Sequence, residues 1–196
     1  MATTRENKTI SQFKSQLIGG GARPNLFEVE LTTLPAGIAW PADNFRYMCK
    51  AAQLPESTIA NIDIPFRGRI FKVAGDRTIA PWSITVINDE DFRIRKAMEE
   101  WVDLIAKLEN NLGATDPNAY MVNAKVFQLG RGSTPSSKTN AGDRNAVLRE
   151  YEFIDIFPTS VSSIDLSYDS SDTIEEFTVD FAVQSFAFVD AGGHNG

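Results

Sequence analysis

The sequence predicts a mainly β protein, a sandwich or barrel of antiparallel strands with one flanking α-helix at about residues 89–112. Three observations predict it. Short apolar–polar alternations recur along the chain, as half-buried strands require. Clusters of Pro, Gly, Asn and Asp punctuate them. The period changes only once, to the 3.6 of a helix, which is the pattern of an all-β architecture interrupted a single time.

The elements follow in order. Residues 1–21, "MATTRENKTISQFKSQLIGGG", are polar and lack the continuous apolar core of a secretory signal, so they read as an N-terminal arm of a protein made in a reducing cytoplasm. The run Gly19-Gly20-Gly21 precedes a strand, not a helix, and reads as a linker and not a phosphate cradle. Alternation marks Phe27, Val29 and Leu31 against Glu28 and Glu30, then Phe45, Tyr47 and Cys49 against Arg46 and Lys50. Further strands are expected at Ile59 to Phe66, Arg69 to Val73, Trp82 to Ile87, Met121 to Leu129, Leu148 to Phe157, Ser163 to Tyr168 and Ile174 to Phe188. Trp82, Ile84 and Val86 form the expected buried face of their strand. Between Asp89 and Leu112, residues Ile94, Ala97, Met98, Trp101, Leu104, Ile105 and Leu108 fall on one helical face, with Asn88 as N-cap and Gly113 as the stop. Trp82 and Trp101 are thus expected in the core. A single domain over 22–188 carries a long polar loop at about 130–146, "GRGSTPSSKTNAGDRN", and 189–196 reads as a flexible tail.

Composition bounds function. The 196 residues suffice for one real core, and no apolar run approaches the ~18 residues of a membrane span, so membrane insertion is not expected. One cysteine, Cys49, excludes an internal disulfide, and the sequon Asn7-Lys8-Thr9 is best read as chance. The net charge of −7 is unevenly placed. Residues 1–24 hold Arg5, Lys8, Lys14 and Arg23 against Glu6, and 130–149 hold Arg131, Lys138, Arg144 and Arg149 against Asp143. From Tyr151 to the last residue there are nine acidic residues and no Lys or Arg. An acidic body is the wrong surface for wrapping nucleic acid, which needs cations against its phosphates.

Catalytic devices fail on inventory. "FKVAGDRTIAPWSITVINDEDFR" (Phe71–Arg93) resembles a phosphate or metal site, but it lacks the G-x-x-x-x-G-K-[ST] frame of a nucleotide loop. Gly75-Asp76-Arg77 reads as a turn, and Asp89, Glu90 and Asp91 as carboxylates in a first helical turn. The only histidine, His194, sits in the terminal "AGGHNG", and His and Cys together number two, too few for a closed zinc site. The neighbours Glu99–Glu100 and Glu175–Glu176 point in different directions on a helix or strand, so they read as solvated faces. No cofactor and no enzymatic activity are expected.

Five segments carry a resemblance: "ARPNLFEVEL" (Ala22–Leu31), "CKAAQLP" (Cys49–Pro55), "KVAGDRT" (Lys72–Thr78), "WSITVINDE" (Trp82–Glu90) and "FPTSVSSIDLSYDSSDTIEEFTVDFAV" (Phe157–Val183). In this order they resemble the tail tube proteins of contractile-tailed bacteriophages, over about Ala22 to Ser185. The resemblance implies an Hcp-like β-sandwich or barrel that forms hexameric rings. These stack into the inner tube of a virion tail assembled in the host cytoplasm. The implied partners are other copies of the chain, the tail sheath protein, baseplate and tail-terminator proteins, a tape measure protein inside the tube, and DNA in transient non-specific passage. A baseplate tube initiator or an injection-machine tube is the neighbouring alternative; a carbohydrate-binding β-sandwich or a hydrolase is the remote one. The start before Ala22, the enlarged loop at Gly130–Asn145 and the glycine-rich tail depart from the family pattern.

The resemblance also implies an extended hairpin that reaches a neighbouring ring, here Leu54 to Arg69, with Ile59, Ile62, Ile64 and Phe66 as its apolar groups. An ordinary core hairpin remains open, because alternation does not say which surface covers it. Asp169, Asp172 and Glu175 are expected on a surface common to all subunits: a lumen wall that repels phosphate, a ring contact opposite Arg131, Lys138 and Arg144, or a solvated outer face.

Overall fold

Two antiparallel sheets organise the chain, a six-stranded one that bends into a barrel and a two-stranded one that leaves it. The computed structural model describes residues 9–17, 21–31, 33–110, 112–130 and 147–190. The larger sheet has the order β1 (Phe27–Glu30), β6 (Val122–Leu129), β7 (Val147–Val161), β8 (Glu176–Asp190), β5 (Trp82–Ile87) and β2 (Cys49–Ala52). Its edge strands β1 and β2 approach each other, and helix α2 (Ala42–Met48) packs on both, so the barrel nearly closes. Closure of this kind leaves little exposed sheet edge.

Alternation explains the core. On β5, Trp82, Ile84 and Val86 are buried while Ser83, Thr85 and Ile87 face the other way. Their cross-strand partners Phe181, Val179 and Phe177 on β8 are buried with them. The Trp82 ring stacks on Phe153 at 4.4 Å between centroids, and its indole N–H donates to the Gln53 carbonyl at 2.9 Å. Helix α3 (Arg93–Ile105) covers this side with Ile94, Ala97, Met98 and Trp101, all buried, and the Trp101 indole donates to the Tyr120 carbonyl at 2.7 Å. Each buried indole therefore has a partner for its one polar group, as burial requires.

Several expected elements are corrected. Helix α3 starts at Arg93, later than expected, because Asn88 does not cap it: Phe92 stands at the N-cap with φ 53°. Asp89 precedes the helix and its Oδ1 accepts the Arg93 N–H at 3.1 Å; no acidic residue lies in the first helical turn. The helix ends at Ile105, and Leu108 is exposed beyond it. Gly113 does not stop the helix directly; it returns so close to the Ile105 carbonyl that any Cβ would collide there.

Phe45 to Met48 is not strand but the end of α2. Phe45 is buried, Met48 packs against the core and Tyr47 is exposed, which is the helical spacing, and the period-two reading rested on three residues only. So there is not one helix among the described residues but three, with α1 (Ile10–Gln16) the first. Ser163–Tyr168 is loop, crossing from β7 to β8, with Leu166 and Tyr168 exposed. Gly75-Asp76-Arg77 is not a turn: it lies inside β4 (Arg69–Ile79), paired with β3 (Ser57–Phe66). Ile59 faces Arg77 and Asn61 faces Ala74, so Gly75 and Asp76 stand opposite Ala60 as a β-bulge. A Cβ at Gly75 would lie 3.0 Å from the Ala60 oxygen, which explains the glycine without positive φ. The turn is Arg67-Gly68, both at positive φ, the two-residue loop that matches strand twist.

Candidate assembly interface

The hairpin β3–β4 is the most exposed part of the two sheets. Nine of the ten residues of β3 are exposed, and so are most of β4. Pairing places Ile62 opposite Val73, Ile64 opposite Phe71 and Phe66 opposite Arg69, and directly paired residues share a face. One face is therefore an apolar ladder of Ile62, Ile64, Phe66, Phe71 and Val73, and Phe66 and Phe71 are each about two-thirds exposed. The other face carries Asn61, Asp63, Pro65, Ile70 and Lys72. Ile59 has the parity of Asn61, so the structure brings Ile62, Ile64 and Phe66 together and sets Ile59 apart. Pro65 fits because, among the described residues, no third strand pairs with β3, so its missing N–H costs nothing in the ladder. The base of the hairpin is fixed by the Ala80 N–H donating to the Glu56 carbonyl at 3.1 Å, and by Arg77, whose guanidinium lies 5.1 Å from the Phe186 ring centroid on β8. Sequence reasoning left Phe71 and Val73 out of the arm because its bounds were set at Leu54 to Arg69, although both fall in the expected strand Arg69 to Val73.

The loop 162–175 holds the acidic candidates. Asp169 and Asp172 are exposed there, beside Leu166, Tyr168 and Ile174, which are exposed as well. Glu175 is different. Its carboxylate accepts the Asn88 side-chain N–H at 2.9 Å, and its carbonyl accepts the Asn88 backbone N–H at 2.9 Å, so it fastens the loop end to β5. Arg131, Lys138 and Arg144 lie outside the described residues.

Outward-facing acids on the barrel are largely compensated. Arg46 of α2 meets Glu30 at 2.6 Å and Glu28 at 3.5 Å, and the hydrogen bond to Glu30 followed by its charge raises the guanidinium pKa. Lys125 bonds Glu150 at 2.8 Å, which raises the ammonium pKa in the same way. Cys49 is buried, and that desolvation pushes its thiol up to about 12. An inert thiol is the consequence. Among the described residues there is no group of three or more His, Cys, Asp or Glu suited to a metal, and no helix long and apolar enough to cross a membrane. An open cleft of about 420 Å³ between the 37–41 loop and α3 contains Arg93, Lys96 and Glu100, but these are engaged in ion pairs: Arg93 with Asp91 at 2.6 Å, Lys96 with Glu100 at 3.7 Å.

Comparison with known proteins identifies the family of this barrel. Residues 22–189 match the family model described as phage tail tube protein. The chain is 34% identical to tail tube protein gp19 of Enterobacteria phage T4 over 165 residues, covering 84% of this chain and 90% of that protein. It is 23% identical to the tail tube protein of Serratia phage KSP90, covering 88% and 92%. In fold it is similar to the tube-terminating cap of the anti-feeding prophage, with TM-score 0.58 at 16% identity over 97% of this chain and 99% of that one. A chain of the PVC sheath-tube complex of an extracellular contractile injection system gives TM-score 0.52 at 12% identity over 94% and 99%. The match across the barrel, the arm and the acidic loop means that the chain belongs to the phage tail tube protein family and is a component of the virion tail.

Proposed function

We propose that this chain assembles into hexameric rings that stack into the inner tube of a contractile tail, the conduit for DNA during ejection and the scaffold on which the sheath is built. The observation that carries this reading is the apolar ladder on β3–β4, which the subunit itself leaves in water. Monomeric proteins rarely expose a contiguous patch of this kind, and contact with another subunit removes it from water. Head-to-tail contacts of one surface with another close into rings when the rotation allows. The hairpin, clear of the barrel, is placed to reach across such a contact.

The role is structural and not catalytic, with no resident cofactor. The acidic balance suits a conduit, because a wall short of free cations does not hold passing phosphate. For Asp169 and Asp172 a subunit contact is the better reading than a lumen wall, since three large apolar side chains stand exposed beside them. Sheath, baseplate, terminator and tape measure proteins are the expected partners of the assembled tube. Negative-stain microscopy of the purified chain tests the reading: rings or tubes of uniform diameter are expected, and a protein that stays monomeric up to high concentration would contradict it.

A further inference from the structure

Helix α1 lies before residue 22, where the family match begins. It is encoded locally. Thr9 and Gln12 form a capping box, with the Gln12 N–H donating to the Thr9 hydroxyl oxygen at 3.3 Å and the Thr9 N–H donating to Gln12 Oε1 at 3.0 Å. Yet the helix has seven residues, none buried, and isolated helices shorter than about 12–15 residues are marginal in water. Such a helix needs an apolar face covered by something. Ile10, Phe13 and Leu17 supply that face at helical spacing, and they are 87%, 66% and 46% exposed.

We propose that α1 is a strap that docks on a second copy of this chain, laying Ile10, Phe13 and Leu17 against the loop 162–175. This rests on the reading of the chain as a self-assembling tube subunit. The two surfaces are complementary in both respects. The loop offers Leu166, Tyr168 and Ile174, 80%, fully and 71% exposed, with Asp165, Asp169 and Asp172 and no Lys or Arg in residues 162–175; Arg95 of α3 meets it only at its start, donating to the Ser162 carbonyl at 3.2 Å. The arm that carries α1 has four basic residues in its first 24 against one acid, and Lys14 lies in the last turn of the helix itself. Both surfaces are uncovered in the same chain, so neither covers the other there. The apolar ladder of the hairpin is the competing site, but Arg69 stands on its face and Arg67 in the turn beside it, and both repel a basic arm. Three side chains bury far less than the about 1,200 Å² of a specific stable interface. The strap therefore closes only where other contacts already hold the copies together and raise its effective concentration.

The test uses full-length Phe13→Cys and Tyr168→Cys variants, mixed, assembled and oxidised, with microscopy of the same preparation. Cys49 is buried and contributes no background. A disulfide-linked dimer of the two variants is expected in the assembled fraction and absent from free subunits, while Phe13→Cys mixed with Arg69→Cys, on the same face of the hairpin as Phe66, gives none. An Ile10→Asp, Phe13→Asp double variant should raise the concentration needed for assembly by about tenfold or more. Tubes without the 13–168 link, or with a 13–69 link in its place, overturn the strap alone. Absence of rings and tubes from the unmutated chain overturns the tube reading beneath it.

Discussion

The β5 strand and the β3–β4 hairpin are built from the same pattern and meet opposite fates. Trp82, Ile84 and Val86 alternate with polar residues and are at most 2% exposed, because β8, β7 and α3 cover them. Ile62, Ile64 and Phe66 alternate with Asn61, Asp63 and Pro65 and are 46–65% exposed, because the hairpin pairs only with itself. Alternation decides which residues share a face; the neighbouring elements decide whether that face is wet. In a subunit of an assembly, the face left wet is the one available to another copy. On the proposed reading the two strands divide the labour, one holding the subunit together and the other offering it to a partner.

The largest effect is expected on the covered side. Trp82→Ala removes the stack on Phe153 and the bond to Gln53, and should cost about 3–5 kcal/mol in a denaturant or thermal melt. An unchanged midpoint would remove β5 from the core and break the comparison. Cys49 gives the next. Its folded pKa is raised, so the folded chain holds the thiol proton more tightly than the unfolded chain between pH 9 and about 12. The stabilisation from the neutral thiol is complete below pH 9 and is lost as pH rises through that window, by at most about 1.4 kcal/mol per pH unit. Measured against Cys49→Ala, which cancels the other titrating groups, the difference in unfolding free energy should shrink steadily above pH 9. A difference that stays flat to pH 11 would mean the thiol reaches water. Asp89→Ala should cost about 1 kcal/mol through loss of its bond to the Arg93 N–H and of its contact with Asn44 at 3.2 Å. A loss of a bound metal or nucleotide in that variant would instead make the acidic turn a ligand site.

Much of the barrel was legible because its signals were long. The face Trp82, Ile84, Val86 and the helical run Ile94, Ala97, Met98, Trp101 repeat their period often enough to identify strand and helix. Phe45, Tyr47, Cys49 did not: three positions are too few to fix a period, and Phe45 is buried while Tyr47 is exposed, on opposite sides of a helix. The β4 bulge was illegible because Gly-Asp ordinarily marks a turn, whereas here the glycine answers a close approach by the Ala60 carbonyl. Of the assembly surfaces, Ile62, Ile64 and Phe66 were legible as apolar and alternating. Their exposure was not, since it depends on strands that fail to pair with β3. Ile59 belongs to the same exposed hairpin but, with the parity of Asn61, stands on its other face.

The smallest expected change in stability belongs to the hairpin, and it tests the central claim most directly. In a chain carrying Ile62→Ser and Phe66→Ser, the melting curve should shift by less than about 1 kcal/mol per site, since both side chains are already in water. Sedimentation and microscopy of the same sample should show a folded subunit that no longer forms tubes. A variant that unfolds, or one that still assembles as the unmutated chain does, would contradict the assignment of the wet face to assembly.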